Sequence, residues 1–100
     1  MTYVLRNDDG TITLTDAALH YIVVQSAESV DGARVRRARR KVGIELDGSN
    51  AKIDLELAVE YGKVLPDVAQ DVQLRVTDAL TRMCGLAVSS VDVTVEELDG

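Results

Sequence analysis

At 100 residues with 46% apolar content, the chain has the size of one domain and enough hydrophobic mass for one core. Three Tyr with no Phe or Trp make that core aliphatic and count against base stacking and deep ligand pockets, both of which draw on aromatic side chains. The net charge of −6 conceals a local asymmetry: six of the 11 bases fall between Arg34 and Lys41, a stretch without an acid, so five bases face all 17 acids elsewhere.

Residues 1–10 read as a flexible tail ending in the turn Asn7-Asp8-Asp9-Gly10, and the fold is expected over 11–97, with a short tail at 98–100. Thr11-Ile12-Thr13-Leu14 alternates polar with apolar and predicts a short strand. Thr15 or Asp16 then caps a helix that runs to Glu28. That helix is apolar at almost every angle, from Ala17 and Leu19 through Tyr21, Ile22, Val23 and Val24 to Ala27. One stripe suffices for a helix on a sheet, so either a second helix covers the surplus or another chain does.

The basic segment follows Val30-Asp31-Gly32 and is basic on both sides if extended, which reads as a loop or a protruding edge. Val42 to Leu46 and Ile53 to Tyr61 alternate with period two around Asp47-Gly48-Ser49-Asn50, the pattern of a hairpin with one buried and one wet face. Pro66 and Asp67 open a second helix and Gly85 closes it; Val68, Ala69, Val72, Val76, Ala79, Leu80 and Met83 form its apolar stripe, with Leu74 off it. Val91, Val93 and Val95 mark a last strand from Val88 to Glu96. The order β-α-β-β-α-β predicts an α+β two-layer sandwich, two helices on one face of a four-stranded, mostly antiparallel sheet.

Several stretches carry a resemblance. Gly10-Thr-Ile-Thr-Leu14, Ser29-Val-Asp-Gly-Ala33, Leu55-Glu-Leu-Ala-Val-Glu-Tyr-Gly62, Leu65-Pro-Asp-Val-Ala-Gln-Asp-Val-Gln73 and Met83-Cys-Gly-Leu-Ala-Val88 leading into Val91-Asp-Val-Thr-Val95 resemble the alkaline shock protein family of bacterial envelope stress response proteins. The chain departs from that pattern at Cys84 and in the density of arginine after the bend. The resemblance implies a cytoplasmic, non-enzymatic protein that self-assembles and is held at the inner face of the membrane by a small membrane-anchor protein of the same broad family. It supplies no catalytic residues and no cofactor.

The residues themselves agree with the absence of catalysis. His20 is the only histidine and Cys84 the only cysteine, so one chain cannot build a Ser-His-Asp relay, a multi-histidine metal site or a disulfide. Cys84 lies at a helix C-terminus, the wrong end for lowering a thiol pKa, and neither Gly32 nor Gly62 has the companions of a phosphate loop. The start of the chain lacks the pattern of a signal peptide, and no run of about 18 apolar residues predicts a spanning helix, so a cytoplasmic setting is expected.

Two complementary surfaces are the candidate partner sites. Arg34, Arg36, Arg37, Arg39, Arg40 and Lys41 supply a basic one, and Glu45, Asp54, Glu56, Glu60, Asp92 and Glu96 an acidic, solvated sheet face. Their contact between copies would be head-to-tail and would build a homo-oligomer. Anionic lipid is a supplementary target for the bases. The alternative is a nucleic-acid-binding module using the same segment; the acidic remainder and the missing Gly-x-x-Gly clamp of KH-type domains count against it, and no small-molecule substrate is expected.

Overall fold

The computed structural model describes residues 2–35 and 42–99. Its elements run β1 (Thr2–Asn7), β2 (Gly10–Thr15), α1 (Asp16–Glu28), β3 (Ala33–Val35), β4 (Val42–Asp47), β5 (Asn50–Glu60), α2 (Leu65–Cys84) and β6 (Ala87–Asp99). The fold is α+β, with both helices over one face of a four-stranded sheet.

α1 begins where Thr15, extended in backbone, accepts the Ala18 N–H on its hydroxyl at 3.2 Å. Leu19, Val23 and Ala27 recur at four-residue steps and are buried. α2 has Pro66 in its first turn and ends at Gly85, whose left-handed backbone (φ +69°) lets Leu86 N–H reach Leu80 O at 3.2 Å. Its buried stripe, Val68, Val72, Val76, Leu80 and Cys84, steps by four throughout. Met83, predicted on that stripe, is 68% exposed, because the four-residue step from Leu80 lands on Cys84.

β5 is the spine of the sheet. Ala51, Ile53, Leu55, Leu57 and Val59 are fully buried beneath the helices, and each large one contributes roughly 1.5–3 kcal/mol of burial. β4 pairs antiparallel with one half of β5 along one edge, and β3 with the other half of the same edge. Val35 opposes Leu57 and Val42 opposes Leu55, two residues apart on that edge of β5. The β4–β5 turn is the predicted hairpin, with Asp47 opposite Asn50 and Gly48 at φ +60°.

Two features correct the sequence reading, and a third adds to it: the sheet is mostly antiparallel as expected, with β3 and β4 antiparallel to β5, while β6 pairs with β5 in parallel, from Asn50 opposite Ala87 to Glu60 opposite Asp99. The cause is α2: a 20-residue helix carries the chain back along the sheet, and β6 must then run the same way as β5. The strand predicted at 11–14 does not join that sheet; β2 pairs with β1 in a separate hairpin. Residues 2–7, read as a tail, are β1, and β6 continues through the supposed tail to Asp99. Asn7 Oδ1 accepts the Asp9 N–H at 2.9 Å and shapes the two-residue turn that makes this hairpin.

Candidate interaction surfaces

Alternation along β5 turns Lys52, Asp54, Glu56, Ala58 and Glu60 away from the helices, and the register brings their neighbours alongside. Glu45 of β4 stands opposite Lys52, Gly43 opposite Asp54, and Arg34 of β3 opposite Ala58. On the other flank Ser90, Asp92 and Thr94 of β6 stand beside Lys52, Asp54 and Glu56. Glu45, Asp54, Glu60, Asp92 and Glu96 are exposed and Glu56 is partly buried, so the structure brings the predicted acidic residues to solvent, five of them exposed. Glu96 falls where the β5–β6 register slips and is not paired with a β5 residue.

Asp54 directly beside Asp92 is the densest negative point of this face. A Cβ at Gly43 would stand 3.4 Å from the Asp54 Cβ, so the glycine leaves the carboxylate uncrowded on its β4 side. Among the described residues no group of three His, Cys, Asp or Glu is arranged to hold a metal ion.

Of the predicted basic residues, Arg34 lies exposed on β3 at the rim of the open face. Arg36, Arg37, Arg39, Arg40 and Lys41 lie outside the described residues. The rung on which the segment begins is tied down: Glu28 of α1 accepts the Val35 N–H at 3.0 Å. A shallow groove lies next to it, lined in part by Glu28, Asp31, Arg34 and Glu60 and open to solvent.

The residues weighed for chemistry are dispersed. His20 is on α1, its Nε2 3.8 Å from Asp16 Oδ1 one turn earlier, both side chains in contact with water. Cys84 is buried under the end of α2, and burial pushes its thiol pKa up, so it stays protonated at neutral pH. The apolar surplus of α1 is mostly covered by α2, β3 and the hairpin; Tyr21, 66% exposed, is the large side chain left outside.

The sequence reading missed one surface. Tyr3 and Leu14 oppose each other at the base of the hairpin and pack into the core, and the next pair on that face, Leu5 and Ile12, is 40% and 50% exposed. The signal was present in Tyr3-Val4-Leu5, a β-forming run placed before a turn.

Known proteins with similar sequences or folds frame these surfaces. The uncharacterized protein YloU of Bacillus subtilis (strain 168) is 35% identical over 57 residues, which are 57% of this chain and 48% of YloU. The chain thus spans about half the length of that curated relative. Among solved structures, a manganese form of the MamM CTD matches with a TM-score of 0.58 at 19% identity, over 83% of this chain and 99% of that one. A copper form matches with 0.58 at 19%, over 83% and 98%. At such identities the likeness is one of fold. Residues 33–99, the whole four-stranded sheet with α2, match the model of the alkaline shock protein 23 family, described by a cell envelope-related function, and the chain belongs to that family.

Proposed function

We propose that this chain is a non-enzymatic protein of the envelope stress response that works as a self-assembling scaffold close to the membrane. Its contacts are with other proteins: the Arg34 to Lys41 segment of one copy meets the acidic sheet face of the next, and a small membrane-anchor protein holds the assembly at the cytoplasmic side. The observation that carries the reading is the open face itself. Glu45, Asp54, Glu56 and Asp92 converge there, and the repulsion between Asp54 and Asp92 on adjacent strands is relieved by a basic partner.

Because the two patches differ, the contact is head-to-tail and extends into a chain of subunits. The family's cell envelope-related description agrees with a structural task at the cell boundary. No helix among the described residues is long and apolar enough to cross a membrane, so attachment through a partner suits the chain. Open grooves, a thiol that burial keeps protonated and a histidine on the solvent side of α1 support a binding task over a chemical one.

Sedimentation velocity tests the contact on the chain and on a variant with all six bases changed to glutamine. At roughly 0.05 M salt the unaltered chain should form species larger than the variant does, and roughly 0.5 M salt should dissolve them. Equal masses in all four measurements remove the proposal. A pull-down from membrane extracts should recover a small single-span protein with the unaltered chain.

A further inference from the structure

β6 bonds to β5 on one side, and among the described residues no strand lies on its other side. An edge of this length, with a row of N–H and C=O groups facing outward, is a template for another strand. Its sequence has an unusual symmetry. Ala51, Ile53, Leu55, Leu57 and Val59 of β5 stand beside Val88, Val91, Val93, Val95 and Leu98, and the register slips once near each end, over Ser89 and over Glu96. These inward positions have the same spacing read in either direction from Val93.

The geometry points to an antiparallel pairing of β6 with β6 of a second copy about a two-fold axis at Val93, which joins two four-stranded sheets into one. In that register Val91 opposes Val95, Val88 opposes Leu98, and the irregularity at one end of the strand meets the irregularity at the other, so the ladder stays continuous. Asp92 opposes Thr94 and Glu96 opposes Ser90, with no acid set against an acid. Moving the axis to Asp92 places Asp92 against itself, and moving it to Thr94 places Asp92 against Glu96, each a like-charge opposition. Charge and shape therefore select the same register.

Burial agrees. Val88, Val93 and Val95 face the core and are still only partly covered, and Leu98 is 50% exposed, which is what an absent neighbour on the outer edge leaves. Gln73 of α2 donates to the Val91 carbonyl at 2.9 Å, and that oxygen keeps a second lone pair for a strand partner. This interface rests on the self-assembly reading and gives it a second, isologous contact with the opposite response to salt. The paired strands bring Asp92 and Glu96 of both copies near one another, so screening strengthens the contact, whereas it weakens the basic-to-acidic one.

The test is sedimentation equilibrium of the full chain at low and high salt with Thr94→Lys, Thr94→Glu and, as a charge-matched control, Thr13→Lys on the exposed hairpin. Thr94 is exposed, so these changes leave the core alone. Because each substitution acts twice across the axis, T94K should raise the dimer association constant about five- to tenfold and T94E lower it by a similar factor, with T13K without effect. A chain monomeric at both salts, or a dimer indifferent to both Thr94 variants, overturns the pairing. Assembly that dissolves in salt and ignores Thr94 sinks this interface and leaves the charge-driven contact standing. A dimer that tightens with salt and answers to Thr94 after the six bases are neutralised supports it even where that contact fails.

Discussion

Lys63 Nζ stands 2.6 Å from Asp31 Oδ2 and joins the turn after α1 to the turn after β5. Its aliphatic stem crosses Gly32, where φ is +86° and an added Cβ would stand 3.0 Å from Lys63 Cγ. The hydrogen bond from Lys63, and then its charge, hold the Asp31 carboxyl below the ordinary aspartate range; the same bond and charge hold the Lys63 ammonium above its own. Asp31 therefore adds stability above the unfolded aspartate pKa of about 3.9, lost as pH falls through its depressed folded value, and Lys63 adds stability below about 10.4, lost as pH rises through its elevated one. Both groups are solvated, so the effect is small and salt-sensitive. In urea unfolding, Asp31→Asn should lower the midpoint by a constant small amount from about pH 5 to 9, and the gap to the unaltered chain should close below about pH 3.

At the level of elements, the hairpin is held by one end. Leu14 packs against the core while Ile12, two residues on, does not, so Leu14→Ala should cost about 1–2 kcal/mol in thermal or urea unfolding and Ile12→Ser less than about 0.5. The helices and the β4–β5 hairpin were legible because their signals are local: a threonine cap, a proline and a glycine at the ends, and apolar residues at steps of four or two. What the sequence left open or disguised were relations between distant segments. The direction of β6 depends on where α2 delivers the chain, and whether β2 joins the main sheet depends on β1, which the polar turn after Asn7 disguised as a tail. The acidic face was legible from alternation alone, whereas Asp54 beside Asp92 required a parallel register that alternation does not contain.

Across the whole molecule, shape and charge act together. The chain extends 51 × 24 × 18 Å with a radius of gyration of 14.1 Å, somewhat above the roughly 13 Å typical of a compact chain of this length. The acids concentrate on the sheet face opposite the helices, where the register sets Asp92 directly beside Asp54. Asp92→Asn should accordingly stabilise the monomer by about 0.2–1 kcal/mol in urea unfolding, an advantage that shrinks in high salt. Since Val35 and Val42 dock on β5 positions only two residues apart, Leu57 and Leu55 hold the two flanks of the basic segment side by side on one edge of the sheet, directly above the buried spine of the core.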